Sequence, residues 1–401
     1  MQTLKATILA AVAISFGTSI VTTGCSSLPT RNPLPSDLVE FAQIHGIANA
    51  RAWADEPYYD DVSVGRVSPE EARERYPMLV GQPVNGLAIS GGGQNGAFAV
   101  GLLNGWSASG TRPDFTLVTG VSTGALIAPF AFLGSEYDQL LREVYTSISS
   151  ADLMRQRGVV GTVVKDAAAD TTPLRRLIER HFDEELLSAI AEEYVKGRQL
   201  DIITTNLDAA RAVRWNIGAI ASSDEPGRLE LIRDVIRASA AIPGAFPPVM
   251  IAVEANGTVY DEMHVDGGVS TLVTAYPMAT SARKYAEIMR ASDKPTMYVI
   301  RNGYSTPKYQ PVDRRTLPIV VRTISAFFGS VAVGDLYRIF LETRRDDVEF
   351  RLAAIPESFR IEPDEMFDPD YMSALYDLAY ELASNGYPWQ TSLEFHDRVS
   401  R

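Results

Sequence analysis

Residues 84–96 read VNGLAISGGGQNG, an apolar run that ends in three glycines and leads into a helical stretch at 97–107. The run predicts a buried strand, and the glycines let the backbone turn tightly with no Cβ in the way. The order repeats further on, with the apolar run FTLVT at 115–119, a turn at 120–124 and an apolar helix at 125–133. Repeated strand–turn–helix units predict an α/β fold with a mostly parallel central sheet.

The rest of the chain extends this pattern in both directions. We predict further strands at 200–206, 212–217, 249–253, 258–260 and 296–300. We predict further helices at 36–54, at 69–76 behind a Ser68 cap, and at 229–241, 317–345 and 370–383. Along the chain we predict a signal peptide at 1–24, a Pro-rich tether at 25–35, a helical N-terminal extension at 36–82, a main α/β domain at 83–305 and a mainly helical C-terminal region at 306–401.

The composition excludes several classes of protein. The 401 residues are 46 % hydrophobic and 22 % charged, which are ordinary values for globular chains and exclude collagen and wholesale disorder. One cysteine excludes an internal disulfide framework, and with only four histidines it argues against a metal centre, so we expect no metal and no cofactor. The 37 basic and 50 acidic residues give a net charge of −13, which argues against nucleic acid as a partner. The oligomeric state is left open.

The N-terminus has the pattern of an export signal. An apolar run at 6–20 follows a single charge, Lys5, and is shorter than the roughly 20 residues that span a bilayer. It ends in VTTGCS at 21–26, which resembles the bacterial lipoprotein cleavage box, with Thr22 where Leu is usual. We therefore predict acylation of Cys25 and an exported lipoprotein of the cell envelope, anchored at the outer membrane. A periplasmic or secreted protein is the alternative.

Three glycine-containing stretches could carry chemistry. In the first, at 91–96, backbone N–H groups before a helix could hold a phosphate or an oxyanion. Binding of a dinucleotide would require an acidic residue at the end of the second strand, whereas Asp114 precedes that strand. The second, GVSTG at 120–124, is typical of a nucleophile elbow, although Ser122 could simply cap the following helix. The third, Asp266-Gly267-Gly268, could be an ordinary turn, but a serine nucleophile also needs a base.

Together these motifs resemble the patatin-like phospholipases. That family carries a glycine-rich oxyanion loop, a Gly-x-Ser-x-Gly elbow and an Asp-Gly-Gly or Asp-Gly-Ala turn in this order, and ASAAIPGAFPP at 238–248 resembles its segment before the aspartate. The resemblance covers about 87–278 and implies a three-layer sandwich that hydrolyses phospholipid or other lipid esters. It implies that Ser122 is the nucleophile and Asp266 its general base. The residues implied for the oxyanion hole are Gly91, Gly92 and Gly93, with Gly96, Gly120, Gly124, Gly267 and Gly268 supporting the motifs.

Three points remain open at this level. Asn95 stands where the family often has Arg or Lys, which removes a cation beside the oxyanion loop. An α/β-hydrolase-like triad could use His264, which a strand would place on the same face as Asp266, or His396. A lipoprotein that binds lipid with a degenerate site is the non-enzymatic alternative.

Overall fold

The computed structural model describes residues 30–59, 61–156, 167, 169–306, 309 and 311–393. The predicted signal peptide at 1–24, the tether up to residue 29 with Cys25, and His396 lie outside the described residues. Contacts divide the chain into two units, Met1–Arg31 and Asn32–Arg401, and the architecture below belongs to the second.

The described elements alternate along the chain between strands and helices. The strands are β1 (Arg51–Trp53), β2 (Asn85–Ile89), β3 (Leu117–Val121), β4 (Arg155–Gln156), β5 (Ala169–Asp170), β6 (Gln199–Asn206), β7 (Arg211–Asn216), β8 (Val249–Ala255), β9 (Thr258–Asp266), β10 (Thr296–Arg301) and β11 (Glu349–Ala354). The α-helices are α1 (Pro69–Arg75), α2 (Gly96–Ala108), α3 (Thr123–Leu133), α4 (Asp138–Ser147), α5 (Ser150–Leu153), α6 (Thr172–His181), α7 (Glu184–Val195), α8 (Ile217–Ala221), α9 (Arg228–Ser239), α10 (Ala282–Met289), α11 (Thr316–Arg345) and α12 (Pro369–Ser384).

One large mixed sheet forms the centre of the fold. Its main order is β1-β7-β6-β3-β2-β10-β11, with β9 also paired to β6 and β8 paired to β9. Each neighbouring pair from β6 to β11 along this path is parallel, whereas β7, β1, β9 and β8 pair antiparallel. The predicted α/β architecture with parallel central strands is therefore confirmed, and the carboxyl ends of β2 and β3 open at the same edge.

The apolar runs seen in the sequence become the interior of the sheet. Leu87, Ala88 and Ile89 of β2 are fully buried, as continuous apolar strands between two helical layers must be. The helix that follows, α2, packs closely against α12 because it carries glycines at the contact. A Cβ at Gly101 would collide with the backbone of Tyr376, and one at Gly105 would collide with the backbone of Tyr380.

One expectation about the N-terminal end of the domain is wrong. The helix predicted at 36–54 is absent; this stretch holds a short 3₁₀ turn, Val39–Phe41, and then β1, which pairs antiparallel with β7. Burial of Arg51 and Trp53 on the sheet decides the conformation there, because tertiary packing overrides a weak helical pattern. Besides α11 and α12, the C-terminal region contributes β11, which lies parallel to β10 in the sheet.

The hairpin before the predicted Asp-Gly-Gly turn is longer than the sequence indicated. Asn256 and Gly257 both have positive φ, 51° and 73°, as the predicted tight turn requires. The second strand, β9, continues from Thr258 to Asp266 rather than ending near Tyr260. This extension carries Asp266 into the body of the sheet, where Thr204 of β6 lies opposite it.

The close packing of α2 on α12 gives a stability prediction. Gly101→Ala should lower the free energy of unfolding by about 1–3 kcal/mol, because the added Cβ forces the two helices apart. Gly334→Ala is the matched control, since a Cβ at that helical position meets nothing within 4 Å and should stabilise α11 by up to about 1 kcal/mol. Urea denaturation measures both, and equal stability of the two variants would contradict the packing explanation.

Candidate active site

A strained turn holds Ser122 between β3 and α3. Ser122 has φ 55° and ψ −122°, a conformation that a side chain rarely adopts. The glycines on either side allow the close approach that this turn needs. A Cβ at Gly120 would collide with the carbonyl of Gly124, and a Cβ at Gly124 would collide with the carbonyl of Ile89. The elbow therefore presents the buried Ser122 side chain at the carboxyl edge of the sheet.

Asp266 reaches the same place from a different direction. It is the last residue of β9 and lies opposite Thr204, while Ile203, the preceding residue of β6, lies opposite Val121 of β3. The hydroxyl of Ser122 donates to Oδ2 of Asp266 at 2.6 Å. The amide of Gly268 donates to Oδ1 at 2.8 Å, so each carboxylate oxygen has a donor.

The protein environment makes Asp266 an unusually strong base for a carboxylate. Burial raises the pKa of Asp266 to about 7, and the hydrogen bonds from Ser122 and Gly268 oppose that rise only in part. An aspartate with an ordinary pKa would hold a proton too weakly to take one from a serine hydroxyl near neutral pH. A base with a pKa near the working pH suits general base catalysis better.

The three glycines after β2 have different roles in the structure. The amide of Gly91 donates to the carbonyl of Leu272 at 3.0 Å and is therefore already used. Gly92 passes so close to Asn302 that a Cβ there would collide with the Asn302 carbonyl, and Gly93 has φ 58°. Within the described ranges, no acceptor is paired with the amides of Gly92 and Gly93, and Gly93 lines the cavity that Ser122 also lines.

Asn95 is held in the structure rather than left in solvent. The hydroxyl of Tyr371 in α12 donates to Oδ1 of Asn95 at 2.8 Å, and Nδ2 of Asn95 points to the carbonyl of Asn302 at 3.5 Å. A cation does lie against the loop from the other side. Nη1 of the buried Arg301, the last residue of β10, is 3.5 Å from the carbonyl of Gly91. Burial lowers the pKa of Arg301 to about 10, opposed by Asp335, so the side chain remains charged at neutral pH.

Two supporting polar residues were not singled out from the sequence. Ser239 accepts a hydrogen bond from the amide of Ser122 at 2.9 Å and donates to the carbonyl of Ile203 at 2.6 Å, which braces the elbow against β6. Asn302 donates from Nδ2 to the carbonyl of Ser90 at 2.8 Å and shapes the glycine loop. Ser239 lies in the 238–248 stretch that carried part of the resemblance, whereas no motif marks Asn302.

His264 belongs to a different buried cluster. Its Nδ1 lies 2.9 Å from Oγ1 of Thr204, and its Nε2 lies 3.0 Å from Oε2 of Glu262, which also pairs with Arg51. Burial lowers the pKa of His264. Both ring nitrogens are thus occupied by groups other than Ser122 and Asp266, so the structure does not bring this histidine into a triad. His396 lies outside the described residues.

An apolar cavity of about 90 Å³ adjoins the elbow. Beside Ser122 and Gly93 its wall is almost wholly hydrocarbon and includes Leu126, Phe130, Val144, Leu177, Ile178 and Phe246. His181 is a polar exception, and burial is the main cause of its lowered pKa. Such a wall suits an aliphatic group next to the serine hydroxyl. Among the described residues, no group of three or more His, Cys, Asp or Glu could hold a metal ion.

Comparison with known proteins identifies the family of this domain. A family model described as patatin-like phospholipase matches residues 87–277. Among solved structures, the crystal structure of VipD from Legionella pneumophila is similar with a TM-score of 0.37 and 13 % identity, over 76 % of this chain and 67 % of that one. No curated protein sequence matches the chain significantly. Residues 87–277, which contain the elbow, the glycine loop and Asp266, therefore form a patatin-like phospholipase domain, and the α/β architecture of the chain is the patatin fold.

Proposed function

We propose that this chain is a serine hydrolase of lipid esters in which Ser122 is the nucleophile and Asp266 the general base. One observation carries the proposal: the hydroxyl of a strained elbow serine donates at 2.6 Å to a buried carboxylate, beside an apolar cavity. A serine used only as a helix cap has no need of a buried acidic partner. Membership of the family supports lipid acyl hydrolysis in general, and the dyad is the finer statement proposed here.

The reaction follows from the geometry in two halves. Asp266 takes the proton of Ser122 while Oγ attacks the ester carbonyl, and the amides of Gly92 and Gly93 donate to the oxyanion that develops. Collapse of the tetrahedral intermediate breaks the ester bond, and the proton passes from Asp266 to the leaving alkoxide. Water then attacks the acyl-enzyme as Asp266 accepts its proton. Collapse of the second tetrahedral intermediate releases the carboxylic acid, and Asp266 returns the proton to Oγ of Ser122.

The cavity supports a lipid as the source of the acyl group. The acyl chain would lie along the apolar wall formed by α3, α4 and α6, with its carbonyl at Ser122. Phospholipid and other lipid esters meet this requirement equally, since the cavity receives only the chain.

We also propose that Cys25 is acylated and holds the enzyme at the membrane of the cell envelope. Support comes from the sequence alone: an apolar signal-like run, a lipoprotein-like box and a Pro-rich tether occur in this order. Anchoring would bring the hydrolase to a surface that contains its substrate, although one acyl chain alone anchors only weakly.

The dyad predicts the same loss from either partner. Ser122→Ala and Asp266→Asn should each lower kcat for a soluble short-chain aryl ester by at least about 10⁴-fold, because the two groups act as one unit. Circular dichroism should show a retained fold. Asp293→Asn, on the exposed surface, is the control and should hydrolyse the ester at the wild-type rate.

A histidine triad predicts a different result. His264→Gln should lower thermal stability, since it disturbs the cluster with Thr204 and Glu262, but leave kcat near the wild-type value. His396→Ala should leave both unchanged. A large loss of kcat in either stable histidine variant, or full activity in Asp266→Asn, would refute the dyad.

The pKa of Asp266 predicts a pH profile. The base must be ionised, so kcat/KM for a neutral ester should fall about tenfold per unit below pH 7 and level off above it. The same raised pKa makes the folded protein hold a proton that the unfolded chain releases, so stability is lost as the pH rises from about 4 to about 7.

Asp266→Asn removes this titration, and its melting temperature relative to the wild type should therefore increase as the pH rises through that window. The exposed Asp293→Asn variant should show no such trend. A profile with its inflection near pH 4, the usual range for a carboxylate, would contradict the role given to burial.

Acylation of Cys25 predicts a labelling pattern. A clickable fatty-acid probe should label the wild type and leave Cys25→Ala unlabelled, and fractionation should move that variant from the membrane to the soluble fraction. Ser122→Ala is the control for labelling of the active-site serine as an acyl-enzyme. Equal labelling of the wild type and Cys25→Ala in the Ser122→Ala background would disprove lipidation at this residue.

A further inference from the structure

Helix α11 is unusually apolar for a helix that water reaches. Between Thr316 and Gly334 its sequence contains a single charged residue, Arg322. The segment Arg322–Arg345 is long and apolar enough to cross a membrane, yet only 28 % of its most apolar window is buried inside the protein. A helix of this composition is normally buried in a core or in lipid.

The two halves of α11 have different surroundings. In the second half Leu336, Ile339 and Phe340 are buried, and Asp335 accepts from the amides of Leu272 and Val273 at 2.6 and 3.2 Å. This half is fixed to the loop that follows the Asp266 turn, so the core explains its apolar residues.

The side chains that the structure describes in the first half are mostly without such cover. Residues 323–327 are all exposed, and five consecutive residues span the whole circumference of a helix, so this part projects from the body of the protein. Ile319, Ile324 and Phe327 are 47 %, 38 % and 48 % exposed. We call residues 322–328 the docking segment. Exposed apolar surface of this kind marks an interaction site.

The docking segment adjoins the proposed catalytic turn. The ring of Phe328 lies 3.4 Å from the position that a Cβ at Gly268 would take, and the amide of Gly268 donates to Asp266. A surface bound by the segment would therefore stand next to the Ser122–Asp266 pair.

The local charge favours lipid over a second copy of this acidic chain. Arg314 and Arg315 are exposed just before the helix, and Arg322 lies within it, with no acidic residue from 314 to 334. Asp313 pairs with Arg315 at 3.2 Å, but an exposed ion pair of this kind contributes little. Apolar residues with basic neighbours match the boundary between acyl chains and anionic headgroups.

We propose that the docking segment inserts into the surface of an anionic bilayer and brings lipid esters to Ser122. This inference rests on the proposed function, because it names where the substrate of that site comes from. The contact is interfacial, since the second half of α11 is already packed in the protein core.

The first experiment reads insertion directly. Cys25 is the only cysteine, so Cys25→Ser with Phe327→Cys gives one site for an environment-sensitive fluorophore. Vesicles of phosphatidylethanolamine and phosphatidylglycerol should shift its emission to the blue, and quenchers on the acyl chains should reduce it. The same label at Val195→Cys, a more exposed apolar position (69 %) at the end of α7, should show neither effect. Identical responses at the two positions would overturn the proposal.

The second experiment separates docking from chemistry. In the Cys25→Ser chain, Ile324→Gln with Phe327→Gln should lower hydrolysis of those vesicles by at least about tenfold and leave hydrolysis of a soluble aryl ester unchanged. Val195→Gln should change neither. An equal loss of hydrolysis on vesicles and on the aryl ester would overturn the proposal of membrane docking. So would a wild-type dimer in lipid-free buffer that is absent in the double variant. Absence of ester hydrolysis in the wild type would refute the proposed function instead, while the fluorophore would still report insertion.

Discussion

The close approach of one backbone to another at the elbow is the constraint on which the site depends. Ser122 has a positive φ, which costs about 1–2 kcal/mol for an L-amino acid that carries a Cβ. The turn is possible because residues 120 and 124 are glycines. The carbonyl of Gly124 lies where a Cβ on residue 120 would be, and the carbonyl of Ile89 lies where a Cβ on residue 124 would be. The carbonyl of Ile89 belongs to the buried end of β2, and the carbonyl of Gly124 belongs to the first turn of the buried helix α3. The interior of the sheet thus supplies the energy that maintains the strained turn.

The second requirement is a carboxylate that is buried yet still able to ionise. Asp266 has one donor on each oxygen, from Ser122 and Gly268, and no cation paired with it among the residues described. A paired cation would lower the pKa of Asp266 and weaken it as a base. Burial without such a partner has the opposite effect, at the expense of stability at neutral pH. Arg301 meets the glycine loop at the carbonyl of Gly91, so its charge acts beside the oxyanion loop rather than in an ion pair with the base.

How much the sequence predicts depends on how local each feature is. The strands β2 and β3, helices α2 and α3 and the motif residues follow from short apolar runs and glycine turns. The juxtaposition of the glycine loop and the elbow follows because the parallel strands β2 and β3 share one carboxyl edge. The position of Asp266 does not follow in this way, because β9 pairs antiparallel with β6. The structure contains the hydrogen bond between Ser122 and Asp266, whereas the catalytic role of this pair is a prediction.

Features set by distant partners could not be predicted in this way. β1 and β11 are strands because they pair with β7 and β10 in the sheet, and their own short sequences do not distinguish them as strands. The motif also does not reveal that the amide of Gly91 donates a hydrogen bond to the carbonyl of Leu272. Because of this bond, the amides of Gly92 and Gly93 are the available donors. Ser239 and Asn302 act through hydrogen bonds to elements distant in the sequence, and a sequence pattern does not record those bonds.

The net charge of −13 gives the body of the protein no general attraction to an anionic surface, so contact with lipid requires specific devices. The two proposed membrane contacts, the acyl group on Cys25 and the docking segment, restrain the protein in different ways. An acyl group on Cys25 would be a single point of attachment, which would restrain the distance from the membrane without setting an orientation. The docking segment is part of α11, and Asp335 of this helix accepts a hydrogen bond from the loop that follows Asp266. Insertion of the segment would therefore also set the orientation of the catalytic domain relative to the membrane. Tethering makes that insertion an intramolecular event, and a weak interfacial helix is then sufficient. Under the two proposals, the protein would remain anchored between encounters with substrate, and only the inserted state would present an ester to Ser122.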